Sequence, residues 1–277
     1  MPPACAQRPF SPLRGEEVRL RRWLAHAARS DAIHPRLQLL SQSLNCAAGG
    51  NALAPPGAGA YRLRTKMRAA FREKESGEAD PAEKIEFVPA DYFARANMHD
   101  IFERDAPLQV DIGCGEGGFL EAMALRHPEH NFLGIERLLG RVRKVCRGVV
   151  HNKIPNVRVL RIETAYALRY VLPVESVSIA HVLFPDPWPK RHHQSRRLVQ
   201  DGFMEALHGI LLMGGELRIK TDDEPYFQWM EKVFTKAKGY ERLLWPDDPE
   251  YPHTDFERRF LAQGLPIYRA RLRKIAR

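Results

Sequence analysis

A carboxylate, Asp186, and an aromatic ring, Trp188, alternate with three prolines in the stretch FPDPWPKRHHQSRR, residues 184–197. The prolines exclude regular β-pairing and stiffen the backbone around both side chains. The basic side chains that follow at once are Lys190, Arg191, His192, His193, Arg196 and Arg197. A fixed acid beside an aromatic ring and a basic cluster is what a site that modifies a nucleobase needs. A proline-rich turn leading into a solvated basic helix is the alternative.

A glycine-rich turn is predicted in VDIGCGEGGF, residues 110–119, where Gly113, Gly115 and Gly118 satisfy the spacing GxGxxG. Glycines at these positions allow a tight turn and let a ligand approach the backbone. The spacing alone is a weak signal, because it also fits enzymes that bind NAD.

Two acids separate the candidate cofactors. Asp111 lies within the predicted strand, two residues before the first glycine. It would repel a pyrophosphate and attract a cationic sulfonium or amino group, by roughly 4 kcal/mol at about 4 Å and an effective dielectric near 20. Glu136 ends the next predicted strand, where a carboxylate can accept both ribose hydroxyls, but NAD enzymes also use an acid there. The pair favours S-adenosylmethionine over NAD.

The residues around these motifs alternate between apolar runs of strand length and segments with helical spacing. Predicted strands cover residues 109–112, 132–136, 157–162, 177–184, 216–220, 240–245 and 267–273. Predicted helices cover residues 92–104, 118–126, 138–151, 165–171 and 198–212. This alternation predicts an α/β fold, a doubly wound, mostly parallel sheet with helices on both faces. Asp111, Glu136, Asp186 and Asp222 then converge at the carboxyl ends of the strands, where such sheets bind ligands.

Composition limits the partners and the compartment. The 277 residues carry a formal net charge of +9, which suits a polyanionic partner. The four cysteines form no CxxC metal pair and imply no disulfide framework, which fits a reducing cytoplasm. No apolar run is long enough to cross a membrane. We expect no membrane, and the adjacent His192 and His193 lack a third ligand, so we expect no metal.

The first part of the chain differs from the rest. Residues 1–60 are rich in Gly, Ala and Pro and are predicted to be a disordered extension or the product of a start placed too early. A basic arm that touches nucleic acid is the alternative. Residues 61–277 are predicted to form the working domain.

Five motifs together resemble the bacterial tRNA (guanine-N7-)-methyltransferases, which are class I S-adenosylmethionine-dependent enzymes. They are DIGCGEG at 111–117, FLGIE at 132–136, FPDPWPKRHHQSRRL at 184–198, GGELRIKTDDEPY at 214–226 and HTDFERRFLAQG at 253–264. The first two occur in many methyltransferases, whereas the last three are specific. The resemblance covers about residues 87–274. It implies a Rossmann-like fold with a seven-stranded sheet, S-adenosylmethionine as cofactor, and a guanine of the tRNA variable loop, position forty-six, as the substrate that becomes 7-methylguanosine.

The resemblance also implies roles for individual residues. Asp186 is the implied catalytic residue. The implied cofactor-binding residues are Asp111, Gly113, Gly115, Glu136, Glu163, Thr164 and Asp186. The implied substrate-binding residues are Lys190, Asp222, Thr254, Asp255, Phe256 and Glu257. Arg191, Arg196 and Arg197 are expected on the RNA-facing surface. One departure concerns the adenine: family members have Asp-Ala where this chain reads Glu163-Thr164-Ala165, so that either Thr164 or a shifted Glu163 would make the contact.

The chemistry that these roles imply is a direct displacement. Guanine N7 has a lone pair and no proton, so methylation needs no obligatory base, and positioning can supply roughly 7–11 kcal/mol. Asp186 would stabilise positive charge that develops on the purine, and Asp222 and Glu257 would accept from the guanine N1–H and amino group. A small-molecule methyltransferase and a non-catalytic RNA-binding protein on the same scaffold remain the alternatives. The sequence does not separate a monomer from a homodimer.

Overall fold

The computed structural model describes residues 81–246 and 248–276. Its sheet consists of β1 (Glu86–Phe87), β2 (Leu108–Ile112), β3 (Asn131–Glu136), β4 (Val157–Arg161), β5 (Val177–Leu183), β6 (Leu211–Thr221), β7 (Tyr240–Leu243) and β8 (Tyr268–Lys274). Their order is β1-β4-β3-β2-β5-β6-β8-β7. All pairs are parallel except β6 with β8 and β8 with β7. The predicted class is confirmed, with eight strands where the resemblance implies seven, because the two-residue β1 adds to the edge.

The helices fill the crossovers. They are α1 (Met98–Ile101), α2 (Gly118–Arg126), α3 (Leu139–His151), α4 (Thr164–Tyr166), α5 (Asp201–Ile210), α6 (Glu224–Lys236) and α7 (Asp255–Ala262). A π-helix (Ala167–Val171) continues α4, and 3-10 turns cover Pro81–Lys84 and Arg191–Arg196. None of the helices in these two ranges is long and apolar enough to span a bilayer.

The order of the strands places a switch point at the centre of the sheet. The chain moves outward from β2 through β3 to β4, then returns to β5 on the other side of β2. Because such crossovers are right-handed, α2 and α3 cover one face, and α4, the π-helix and α5 cover the other. The carboxyl ends of β2 and β5 flank the switch point, which is where open α/β sheets bind their ligands.

The composition of the central strands reflects their burial on both faces of the sheet. Every residue of β2 and β3 is buried, as expected for parallel strands covered on both faces. The apolar face of α3, namely Val142, Val145, Cys146 and Val149, joins Phe119, Leu120 and Met123 of α2 in one core cluster. Asp111 and Glu136 are therefore acids at the ends of strands that are otherwise core.

Sequence reasoning misplaced or missed some helices. The helix predicted over residues 92–104 is only the single turn α1, and the helix predicted over 198–212 ends at Ile210 because Leu211 begins β6. Both α6 and α7 were unpredicted. Asp223 caps α6 and a proline lies in its first turn, while Thr254 caps α7 with a glutamate three residues on, and these are recognised start signals. The predicted extension, residues 1–60, lies outside the described residues.

Candidate active site

The glycine-rich turn leaves β2 and is tied to β3. The backbone N–H groups of Gly113 and Cys114 both donate to the Ile135 carbonyl oxygen, at 2.9 and 3.1 Å. Gly113 and Gly115 adopt positive φ angles of 79° and 58°, which glycine tolerates. The third left-handed residue is Gly117 (φ 87°), which caps α2, whereas the predicted Gly118 is already helical. A Cβ on Gly117 would lie 2.8 Å from Val145, so α3 packs closely against this turn.

Asp111 is a buried acid beside the turn. Its side chain is 4% exposed, and no described residue donates a hydrogen bond to its carboxylate. Burial and the nearby Glu136 raise its pKa to about 7. An ionised carboxylate in such a place calls for a cation. The site therefore suits a ligand that brings positive charge.

Glu136 ends β3 with its carboxylate held by backbone. Its Oε1 atom accepts from the N–H groups of Arg137 and Leu138, at 2.7 and 2.8 Å, and its Oε2 atom lies 3.5 Å from the Arg141 guanidinium. The side chain is buried. These bonds fix the acid at the edge where ribose hydroxyls are recognised in this class of sheet.

The two candidates for an adenine contact follow β4. Glu163 caps α4, with its Oε2 atom accepting from the Tyr166 N–H at 2.9 Å, and it is exposed. Thr164 is the first residue of that helix. The register pairs Glu136 with Arg161, so both candidates lie just beyond the end of the strand next to β3. The Glu163 carboxylate is engaged as a cap, while the adenine contact itself stays a prediction.

The proline-rich loop leaves β5 in a strained conformation. Phe184 and Trp188 have positive φ angles of 54° and 44°, and each precedes a proline. Residues in this region cost about 1–3 kcal/mol each and persist where their surroundings hold them. The Phe184 N–H donates to the Lys220 carbonyl oxygen at 2.8 Å. Asp186, between the two strained residues, is exposed.

Arg197 holds this loop through a buried side chain. It is not on the RNA-facing surface where we expected it. Its side chain is buried, and its Nε atom donates to the Pro187 carbonyl oxygen at 2.8 Å. Its guanidinium lies 4.9 Å from the ring centroid of Tyr226 and 5.5 Å from that of Trp229. The aromatic side chains of α6 therefore draw this arginine inside.

Three other members of the basic cluster lie at the surface, and their contact with RNA stays a prediction. Lys190, Arg191 and Arg196 all face solvent. Arg196 lies 5.1 Å from the ring centroid of Trp188, which is half-buried. A cation over a partly exposed aromatic ring forms a surface that can bind a base or a phosphate.

A buried ion pair joins β6 to α7. Lys220, which the sequence did not single out, donates to the Oε1 atom of Glu257 at 2.6 Å, and both side chains are buried. Lys220 also lies 4.8 Å from the ring centroid of Tyr251. The Oε2 atom of Glu257 is buried and has no hydrogen-bond partner among the described residues. A lysine in a predicted strand inside the sheet was the available signal, since a buried cation needs a partner.

Four other predicted substrate residues lie close in sequence to this pair. Thr254 accepts from the Glu257 N–H at 3.0 Å, Asp255 and Phe256 are exposed, and Asp222 follows β6, half-buried. A Cβ on Gly118 would lie 3.7 Å from the Asp255 Oδ2 atom. The start of α7 thus abuts the start of α2, which brings the last motif of the chain to the glycine-rich turn.

The geometry agrees with comparisons with known proteins. A family model described as "Putative methyltransferase" matches residues 105–270. A tRNA (guanine-N(7)-)-methyltransferase of Syntrophotalea carbinolica is 39% identical over 184 residues, covering 65% of this chain and 77% of that protein. The chain belongs to the tRNA (guanine-N7-)-methyltransferase family. Family members of the same name from Alkaliphilus oremlandii and Streptococcus pyogenes are 32% and 31% identical and are covered over 89% and 96% of their lengths, with 66% and 72% of this chain aligned.

The family membership leaves one cluster outside the site. His127, Glu129 and His130 have ligand atoms within 4.8 Å of one another, a spacing that is compatible with a metal ion. They lie before β3 begins, at the opposite edge of the sheet from Glu136. They are therefore not part of the methyltransferase site.

Proposed function

We propose that this protein transfers the methyl group of S-adenosylmethionine to N7 of a guanine in the variable loop of tRNA, at position forty-six, to give 7-methylguanosine. The observation that carries the proposal is the juxtaposition at the switch point. The glycine-rich turn and the Asp186 loop leave neighbouring parallel strands, β2 and β5, at the same edge. The family membership supplies the reaction class.

The residues at the turn fit the cofactor. Asp111 is buried, receives no hydrogen bond from another described residue, and matches the positive charge of the methionine part, while Glu136 matches the ribose hydroxyls. The turn itself presents backbone without side chains at Gly113 and Gly115. When bound, S-adenosylmethionine supplies an electrophilic methyl group on a sulfonium.

The protein's own contribution to the reaction is positioning and charge. As the bond from methyl carbon to guanine N7 forms and the bond from carbon to sulfur breaks, positive charge moves to the purine. Asp186, on its rigid loop, stabilises that charge. Glu257 has one oxygen on Lys220, and its Oε2 atom, which has no partner in the described part of the chain, accepts an N–H of the guanine edge, which adenine lacks at N1. Asp222 assists as a second acceptor.

The test is a methylation assay with purified protein, labelled S-adenosylmethionine and unmodified tRNA, followed by identification of the product nucleoside. We expect 7-methylguanosine from the variable loop. Cofactor binding by calorimetry without transfer would instead favour a non-catalytic RNA-binding protein. Transfer only to small molecules would favour a small-molecule methyltransferase.

We also propose that the protein acts in the cytoplasm, where tRNA is its partner, as a monomer or a homodimer. The cysteine pattern and the absence of a membrane-spanning helix in the described ranges support this. Sedimentation of the purified protein, alone and with tRNA, would distinguish the two oligomeric states.

A further inference from the structure

The exposed face of α3 carries only positive charge. The helix contains Arg141, Arg143, Lys144 and Arg147, all exposed, and no aspartate or glutamate. Its opposite face is the buried apolar stripe described above. At about 1.5 Å per residue, the 13 residues extend over about 20 Å. This basic face of α3, defined by those four side chains, is a long cationic surface.

Ion pairs among the described residues do not account for all of the positive charge on this face of α3. Lys144 pairs with Glu116, and Arg141 lies near Glu136, but Arg143 and Arg147 form no ion pair with another described residue. They are four positions apart, a spacing at which like charges destabilise a helix. Arg141 lies in the first turn, where the helix dipole favours acids instead. The helix therefore carries these cations at a small cost to its own stability.

The position of α3 in the fold offers a reason for these positive charges. α3 begins three residues after Glu136, so its first turn lies at the same edge of the sheet as the cofactor acids. The exposed Lys190, Arg191 and Arg196 follow β5 at that edge. β3 and β5 are both neighbours of β2 and are about 10 Å apart. The two basic surfaces therefore flank the glycine-rich turn, and a polyanion that touches both must cross the cofactor site.

We propose that the basic face of α3 is a second docking surface for the phosphate backbone of the tRNA substrate, separate from the proline-rich loop. The identity of the polyanion rests on the proposed function. The contacts are to phosphates and fix the register of the RNA over the site without reading its sequence. Arg143 and Arg147, which have no acidic partner in the described ranges, are its clearest members.

The experiment compares two double variants of the full chain. Arg143→Gln/Arg147→Gln removes two charges from α3. Lys232→Gln/Lys236→Gln is the matched control, because these lysines are also exposed and four positions apart, but lie on α6, which packs against α5 on the other face. Binding of unmodified tRNA is measured between about 0.05 and 0.2 M salt.

Each lost phosphate contact should flatten the slope of log K against log salt by about 0.7–0.9. We expect the α3 variant to flatten the slope by about 1.4–1.8. Because the affinities of variant and wild type for tRNA become equal near 1 M salt, the variant should bind tRNA about 10- to 30-fold more weakly at 0.15 M. The control should keep the wild-type slope. Cofactor affinity should match wild type in both variants, and neither variant should melt at a lower temperature than wild type.

An unchanged slope in the α3 variant would overturn the proposal, and so would equal flattening in the control. Arg143→Lys/Arg147→Lys keeps the charge and should keep the slope, which separates a phosphate contact from a folding defect. A wild-type protein that binds tRNA but never forms 7-methylguanosine would refute the proposed function alone. The two failures are therefore distinguishable.

Discussion

Glu257 on α7 accepts a hydrogen bond from Lys220 on β6, at 2.6 Å, with both side chains buried. Thr254 and Glu257 have the spacing of a capping box, in which the glutamate normally returns to the N–H of the cap residue. Here the glutamate is directed to Lys220 instead, and its Oε2 atom has no partner among the described residues. The site therefore has an acceptor in place before any substrate arrives.

This relationship predicts different outcomes for stability and activity. Glu257→Gln leaves Lys220 without a charged partner, and breaking a buried pair from one side costs about 3–5 kcal/mol of unfolding free energy. The double variant Lys220→Met/Glu257→Gln has no uncompensated buried charge, so most of that stability should return. Activity on tRNA should stay low in both, because the neutral amide oxygen of glutamine is a weaker acceptor for guanine than the charged carboxylate. Denaturant unfolding and methylation assays measure the two effects, and a double variant that regains full activity would make the pair purely structural.

The raised pKa of Asp111 predicts that the free energy of unfolding depends on pH. Burial and the nearby Glu136 raise its pKa from the ordinary value of 3.8 to about 7. Between about pH 4 and 7 the free folded protein holds a proton that the unfolded chain has released, so the free energy of unfolding falls as pH rises through this window. A rise in pKa of this size corresponds to roughly 4 kcal/mol of unfolding free energy across the window. Asp111→Asn should lack this slope in melts recorded across the window.

The same group predicts how cofactor affinity changes with pH. A cationic ligand favours the ionised carboxylate, so S-adenosylmethionine should bind more tightly as pH rises towards and past about 7, with release of a proton. Calorimetric titrations in buffers of different ionisation enthalpy count that proton. If Asp111→Asn shows the same pH profile and proton release as wild type, another group is responsible.

Sequence reasoning found the parts of the site that single segments encode. Asp111 and Glu136 follow from apolar runs that end in an acid, and the glycine-rich turn follows from its spacing. It missed Lys220 with Glu257, because a pair 37 positions apart on β6 and α7 exists only through tertiary packing. It misplaced Arg197 for the same reason. An arginine in a basic run reads as solvated, and only the unpredicted helix α6 supplies the rings that bury it.

Arg196 and Arg197 are neighbours with different predicted roles. Arg197→Ala removes a hydrogen bond to Pro187 and two ring contacts, so the free energy of unfolding should fall by about 2–3 kcal/mol. Arg196→Ala should lower the free energy of unfolding by no more than about 0.5–1 kcal/mol, for its contact with Trp188, and flatten the salt slope of tRNA binding by about 0.7–0.9. Thermal melts and tRNA titrations on both variants provide the comparison. Equal loss of stability in both would contradict the assignment.

The N-terminal region gives a prediction about domain organisation. We propose that residues 61–277 contain the working domain, because every motif of the site and the matched family region, 105–270, lie beyond residue 60. Removal of residues 1–60 should leave cofactor binding and methylation nearly unchanged. Calorimetry and the tRNA assay on the truncated chain test this, and loss of most of the activity would make the extension part of the domain.

Asp186 provides the most direct test of the mechanism. The loop around it is held by prolines and by the contact of Arg197 with Pro187, so Asp186→Asn should keep the shape of the loop and remove only the charge. Loss of one preorganised electrostatic group costs about 10²–10³ in rate. Since the charge matters most in the transition state, the rate should fall further than the affinity for cofactor or tRNA. The measurement is single-turnover methylation at saturating tRNA and cofactor. A normal rate under saturation would reduce Asp186 to a binding residue, and the acid that acts on the transition state would then be Asp222 or Glu257.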